Sequence, residues 1–351
     1  MSGYSGYNVG DLIAEFLAQI GVSTAVGIVS VHNIPMLDGI GRRNNIRYVM
    51  ARGEMGGAHF ADGFARAHGS LGVMFSSTGP GAANAVGGLI EARIAGTPLL
   101  HITGTTATGF ADRGMGTVHD VPDQSGMLAS ISKSAYRIRS ANQALGILTR
   151  AVADALTAPM GPVSVEVPID IQRTQITRPA ALDTLTLPIP GPVVPGDAAM
   201  AELAERVLAA KRPMLWLGAG AKGAGAPAAG LLAEGFGMVT SGPGRASVPE
   251  DHPKSLGSFN GNLVPTVQEF YKTCDLMIVV GSRLRGHETA DFSVKLPDNL
   301  IQIDADPMAN GRTYPTKFFA CGDATATLQA LLDRVRGKMQ VDPAFAADLR
   351  G

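Results

Sequence analysis

Cysteine is scarce in this sequence, with only Cys274 and Cys321 among 351 residues. Neither sits in a metal-type pair, which argues against a disulfide framework or a thiolate metal site and reads both as reduced, mostly buried small apolar residues. A surplus of charge is also lacking. With 29 basic against 30 acidic residues the net charge is −1, so no overall basic field would concentrate nucleic acid or anionic lipid. Long apolar runs are missing as well: no stretch reaches the ~18 consecutive apolar residues of a membrane span. The opening MSGYSGYNVGDLIAEF has no basic segment leading into an apolar run, the pattern of an export signal. The expectation is a cytoplasmic protein whose partners are small molecules and protein surfaces, with no nucleic acid and no membrane.

What is present is apolar bulk. A hydrophobic content of 45% against 17% charged describes a chain that buries a large core, and 351 residues suit two domains better than one. Val9, Leu12, Ile13, Phe16, Leu17 and Ile20 recur at helical spacing, with Asp11 in the first turn and Gly21 as the stop. Apolar runs near 24–29, 46–50, 71–77, 98–103 and 162–167 read as buried strands separated mostly by helices, an alternation that implies a parallel sheet. The segment TRPAALDTLTLPIPGPVVPGD carries five prolines and reads as an extended connector. Beyond it the alternation resumes with PMLWLG, GMVTS, CDLMIVVG and NLIQIDAD, and an amphipathic helix bearing Leu328, Leu331, Leu332 and Val335 precedes a short polar tail. The expected fold is α/β, with two doubly wound domains and mainly parallel sheets: residues 1–178, a linker at 179–196, a Rossmann-like domain at 197–337, and a tail at 338–351.

Two strand-to-helix junctions carry the chemistry. In RYVMARGEMGGAHFADGFARAHG, Glu54 stands just after a strand at the entrance of a helix whose Ala58, Ala61 and Ala65 form a small-residue face. An acid there also serves simply as a partner for the helix dipole. Gly53, Gly56 and Gly57, however, strip side chains from around the carboxylate and would let a flat ligand approach the backbone. The second junction, FSSTGPGAANAVGG, places Gly79, Pro80 and Gly81 at a turn and Asn84 in the first helical turn. Taken alone this is an ordinary tight turn. In a parallel sheet, though, ligands collect outside the carboxyl ends of the strands, where both junctions fall.

The run from Glu54 to Arg66, the run from Ser77 to Asn84 and the TPLLHITG strand at 97–104, together with VPEDHPKSLGSF (248–259), VVGSRL (279–284) and IDADP (303–307), resemble the thiamine-diphosphate enzymes that include acetolactate synthase and benzoylformate decarboxylase. The resemblance spans nearly the whole chain. It implies a pyrimidine-binding domain in which Glu54 contacts a ring nitrogen of the cofactor and supplies the proton that favours the imino tautomer; the neighbouring nitrogen then takes the thiazolium C2 proton. Glycine and apolar neighbours such as Met55 are expected to desolvate Glu54 so that it shares a proton near neutral pH. Decarboxylation of a 2-oxo acid is the implied first step, ending in either an aldehyde or a carboligation product.

There are departures. Val29 and Ser30 stand where relatives often carry Pro-Gly in the loop after the first strand. His32 in that loop either faces substrate or cofactor or is a surface hydrogen-bonding group. The common His-Glu-Gln becomes Gly53, Glu54, Met55, and His59 and Lys133 read as structural. RGMGTVHDVPDQSGMLASISKSAYRI resembles a substrate-side loop of decarboxylases, offering His119, Asp120, Asp123 and Gln124 to orient a carboxylate or relay a proton, although a solvated loop has the same look. The family's Gly-Asp-Gly motif with a distal Asn, which holds magnesium and the diphosphate, is not found; LDGIG (37–41) and CGDAT (321–325) lack its other features. No residue here is therefore assigned as a metal ligand. The expected partners are a separate diphosphate-domain subunit carrying the Mg2+, a second copy of this chain, and a small 2-oxo acid.

Two further readings stay open. LWLGAGAKGAG presents Gly218, Gly220 and Gly223 as Gly-x-Gly-x-x-Gly after a strand, and Arg283, Arg285 and Asp304 would support a nucleotide such as FAD or ADP; yet the following strand, GMVTSGPG, ends without the acid that holds an NAD ribose. The other alternative is a noncatalytic scaffold or regulatory subunit, against which Glu54 in its frame of glycines argues.

Overall fold

The computed structural model describes residues 6–259 and 265–349. The chain divides into two compact units, one up to Pro190 and one from Gly191. Each is an α/β unit around a sheet of six strands, all parallel. Among the described residues no helix is long and apolar enough to cross a membrane.

The first unit runs α1 (Val9–Gln19), β1 (Thr24–Gly27), α2 (Ile34–Arg43), β2 (Arg47–Met50), α3 (Glu54–His68), β3 (Gly72–Ser76), α4 (Pro80–Asn84), α5 (Val86–Ala95), β4 (Leu99–Thr105), α6 (Gln124–Ile131), β5 (Ser134–Arg137), α7 (Ala144–Leu156), β6 (Pro162–Pro168) and α8 (Ile169–Arg173). Its strand order is β2-β1-β3-β4-β6-β5. The central strands β3, β4 and β6 are buried along their whole length, which is why they read as continuous apolar runs. One face of the sheet packs Leu12, Ile13 and Phe16 of α1 against Phe75, Ile102 and Val165. The other packs Ala58 and Ala61 of α3 with Leu89 of α5 against Met74 and Leu99. Small residues are required at that second face, because a Cβ on Gly88 would lie 2.5 Å from the Ala58 Cβ.

The second unit runs α9 (Asp197–Ala209), β7 (Pro213–Leu217), α10 (Gly225–Ala233), β8 (Gly237–Ser241), β9 (Ser255–Phe259), α11 (Pro265–Thr273), β10 (Leu276–Val280), β11 (Leu300–Asp304), β12 (Phe318–Cys321), α12 (Ala324–Val335) and α13 (Pro343–Asp348). Its order is β9-β8-β7-β10-β11-β12.

Several segments differ from their sequence expectation. The edge strands β5, β9 and β12 are short and only partly buried, so they carry no apolar run to announce them. Inside the proline-rich connector, residues 180–182 form a 3-10 turn that buries Leu182 in the first core, with Leu185 and Leu187 packed beside it. The expected polar tail contains α13, whose Phe345 is fully buried against Phe270, with the Arg212 guanidinium 4.9 Å from its ring centre. Cys274 is buried as expected, but Cys321 is exposed because it ends the edge strand β12.

His101 sits at the centre of β4 with no exposure, its ring nitrogens 2.8 Å from Ser76 Oγ and 3.0 Å from Ser164 Oγ. Burial pushes its pKa down to about 3. Above about pH 6.5 both folded and unfolded chains leave it neutral; below that only the unfolded chain takes up the proton, so acidification lowers stability by up to about 1.4 kcal/mol per pH unit until the folded value is reached. Urea titrations across pH 4–8 are expected to show this acid arm and to lose part of it in His101→Gln. Phe345→Ala is expected to cost about 3 kcal/mol in the same measurement, whereas truncation in an unstructured tail would leave the midpoint unchanged.

Candidate cofactor site

In the first sheet the chain steps outward from β1 to β2 and then crosses back to β3, so the loops after β1 and β3 diverge at their carboxyl ends. Such a reversal opens a crevice where α/β sheets take ligands. The crevice is bordered by residues 28–33 after β1 and 77–79 after β3, with 51–53 after β2 and 106–123 after β4 at the same end of the sheet.

Glu54 opens α3, following Gly53 in extended conformation. It is only 8% exposed, and among the described residues no side chain or backbone group hydrogen-bonds or ion-pairs with its carboxylate. The acid leans on the second junction: a Cβ on Gly81 would lie 2.7 Å from Glu54 Oε1 and 2.6 Å from the Ser77 Cβ. A Cβ on Gly53 or Gly56, the residues before and two after it, would meet nothing within 4 Å.

Ser77 Oγ donates to Ser30 Oγ at 2.8 Å, joining the β3 loop to the β1 loop. The β1 loop is held by Asn33, whose side chain donates to the carbonyls of Ile28 (2.8 Å) and Ser76 (3.1 Å) and accepts from Ser30 N. His32 is buried, its Nδ1 has no hydrogen-bond partner, and its pKa is pushed down by burial and further by His119 and Arg173. The His119 ring lies 5.7 Å from the His32 ring and its Nδ1 is 3.4 Å from Ser77 Oγ. His119 has φ 64° and is exposed. Its carbonyl sits where a Cβ on Gly79, itself at φ +55°, would strike at 2.0 Å.

Gln124 ties these loops together. Its Oε1 accepts from Gly79 N (2.5 Å) and Thr78 Oγ1 (3.0 Å), and its Nε2 donates to Gly104 O (3.0 Å) and Glu166 Oε1 (2.8 Å). Glu166 is 1% exposed on β6; it takes Arg137 Nε at 3.0 Å and the Ser125 hydroxyl, while Arg137 also pairs with Asp112 on the 106–123 loop.

Of the residues singled out in the sequence, Glu54, Gly79, Gly81, Ser30, His32, His119 and Gln124 gather in this crevice. Pro80 and Asn84 stand exposed on α4, and Asp120 lines a polar cleft with Thr105, Thr106 and Arg137. Asn33, Arg137 and Glu166 escaped the sequence reading. The one signal among them is Glu166, the single charge in the strand PVSVEVP.

In the second unit Gly218 N donates to Val280 O (2.8 Å) and Gly220 N to Gly281 O (3.0 Å). A Cβ on Gly218 would strike Gly281 O at 2.3 Å, so these glycines serve backbone packing and neither amide is left for a phosphate. Arg285 pairs with Glu288 at 2.8 Å. Asp304, at the end of β11, has its pKa raised by burial and accepts from Asp306 N at 2.9 Å; Arg283 is half-buried nearby in sequence to Arg285.

Two family models match the chain: the thiamine pyrophosphate enzyme N-terminal TPP binding domain over residues 7–127 and the thiamine pyrophosphate enzyme central domain over residues 200–331. The chain belongs to the thiamine pyrophosphate enzymes. It is 32% identical over 329 residues to a Pseudomonas aeruginosa protein named "Probable 2-ketoarginine decarboxylase AruI", covering 93% of this chain and 58% of that one. It is 28% identical to the acetolactate synthase large subunit of Corynebacterium glutamicum (92% and 52%) and to the isozyme 1 large subunit of Escherichia coli (95% and 58%). The chain thus spans little more than half the length of these relatives.

The residues that would meet the pyrimidine of thiamine pyrophosphate are Glu54, a largely buried carboxylate without a protein donor among the described residues, and Gly53 and Gly56, whose Cβ positions have no neighbour within 4 Å. Gln124→Leu keeps the side-chain volume but strands a buried amide N–H, a hydroxyl and a carboxylate oxygen. It is expected to cost about 3 kcal/mol by chemical denaturation; a change within about 0.5 kcal/mol, as for an ordinary surface site, would show that Gln124 does not hold the loops.

Proposed function

We propose that this chain supplies the activating half of a thiamine-diphosphate site in a 2-oxo-acid decarboxylase or carboligase, and that the Mg2+-diphosphate half comes from a separate polypeptide. The observation that carries this reading is the largely buried Glu54 carboxylate, which has no protein partner among the described residues, between glycines whose Cβ positions are free of neighbours. A ligand nitrogen that hydrogen-bonds this carboxylate would supply the partner that the protein does not. Thiamine diphosphate, when bound, supplies a carbanion nucleophile for the carbonyl of a 2-oxo acid. Glu54 holds the proton at the pyrimidine nitrogen, Gly53 and Gly56 admit the ring, and the Gln124-anchored turn at Gly79–Gly81 fixes the direction in which the carboxylate points. The printed names of the relatives, acetolactate synthases and a 2-ketoarginine decarboxylase, support a 2-oxo acid as substrate.

A divided site is supported by the apolar side chains around it. Met50, Met55, Phe60 and Ile90 are all exposed on or beside α3 and α5, the kind of surface a second polypeptide covers. We propose two copies of this chain with two of the partner. Glu54→Gln in that complex is expected to lower turnover on the order of a thousandfold in a decarboxylation assay; undiminished turnover overturns the assignment. In calorimetry, thiamine diphosphate with Mg2+ is expected to bind tightly only when the partner is present, and tight binding to this chain alone overturns the divided site.

A further inference from the structure

A line of hydrogen bonds crosses the interior of the first sheet. His101 on β4 is the register partner of Met74 on one side and of Ser164 on the other, so its ring lies on the face that α3 and α5 cover, where Met74 packs with Ala58 and Leu89. Ser132, at the C-terminal end of α6, Ser164, His101 and Ser76 are all buried. Ser132 Oγ lies 2.8 Å from Ser164 Oγ, which lies 3.0 Å from His101 Nδ1; His101 Nε2 lies 2.8 Å from Ser76 Oγ, which donates to the Ser77 carbonyl at 2.9 Å. The count of donors allows these bonds one direction. Ser76 has a single hydroxyl hydrogen and spends it on Ser77, so it accepts from His101 Nε2–H. Burial pushes the pKa of the ring down to about 3, so the ring is neutral, Nδ1 accepts from Ser164, and Ser164 accepts from Ser132.

What this line fixes is its last acceptor. The Ser77 carbonyl also takes the Thr103 hydroxyl at 2.9 Å, so the peptide that leaves β3 is held by two donors from within the sheet. The Ser77 side chain and Glu54 Oε1 share the space that a Cβ on Gly81 would need. Resting on the reading of this crevice as a thiamine-diphosphate site, we propose that His101 is a positioning residue for it: through Ser76 the ring sets the Ser77 peptide, and that peptide sets the turn against which the Glu54 carboxylate rests. Rotation of the peptide would carry the Ser77 Cβ and the turn at 79–81 with it, and the acid would lose the surface that directs it. An apolar residue at 101 would fill the core but strand the Ser76 and Ser164 hydroxyls, which costs more than a sheet gains from packing alone.

The first test reads the full chain by itself. In long-range proton–nitrogen spectra with labelled histidine rings, His101 is expected as a single tautomer protonated at Nε2, unchanged from about pH 5 to pH 8. Ser164→Ala removes the donor to Nδ1 and leaves the ring in place; it is expected to move the Ser77 carbonyl and Gly81 amide resonances, on the far side of β4 from the substitution. A ring protonated at Nδ1, or shifts confined to β4, β6 and α6, overturn the proposal. The second test reads the active complex, with rates referred to folded protein. His101→Gln, whose Oε1 accepts and whose Nε2 donates in place of the ring nitrogens, is expected to keep kcat within about twofold, whereas His101→Leu lowers kcat about tenfold and changes KM for the 2-oxo acid by less than about twofold. Equal losses in the two variants, or full kcat in His101→Leu, overturn the role. Where His101→Leu does not fold, Ser164→Ala takes its place in the same assay, with a smaller fall expected and an unchanged kcat overturning the role. The spectra need no cofactor, so undiminished turnover in Glu54→Gln would sink the cofactor reading while the His101 tautomer and its coupling to Ser77 still stood.

Discussion

A carboxylate stays at the entrance of α3 only because residue 81 has no side chain. Glu54 Oε1 occupies the volume a Cβ there would need, and Ser77 closes on the same spot from the other side. The turn after β3 and the start of α3 therefore fit as one piece. The sharp backbone of Gly79 delivers Gly81 to that position, and its φ of +55° belongs to a residue without a Cβ. The acid, the turn and the serines that join β3 to β1 all follow from the same lack of side chain.

Behind this piece stands a charged interior that an apolar sheet does not need for its own packing. Glu166 is a buried carboxylate on β6, paired with Arg137 and bonded by neutral donors from Gln124 and Ser125. A buried pair of this kind adds little net stability once desolvation is counted. Its value is directional: each bond is satisfied in one arrangement of the loops after β3 and β4, so the polar groups fix a geometry that close-packed hydrocarbon would leave looser.

The parts legible in the sequence are those whose cause is local. Strand burial shows in runs such as VMF and LLHIT, and Glu54 and the glycine turn show because neighbours along the chain make them unusual. The parts that escaped depend on distant partners. Asn33 acts on the carbonyl of Ser76, 43 residues away, and Arg137 on Glu166, 29 away; Gln124 was singled out, but not its hold on Gly79, 45 away. Phe345 looked like part of a tail because its apolar neighbours, Phe270 and the Arg212 side chain, are supplied by other elements. The glycines after β7 match a nucleotide pattern, and only the structure shows their amides spent on Val280 and Gly281.

The hydrogen-bonded path from Asp112 through Arg137, Glu166 and Gln124 to Gly79 has a consequence for how such proteins diversify. A loop at 106–123 exchanged for that of a relative would arrive without its anchors unless positions 124, 137 and 166 travelled with it and residue 112 within it was kept. Residues scattered over three elements would then be inherited as a set, and a new substrate preference would be acquired by replacing a module instead of accumulating single changes along the loop.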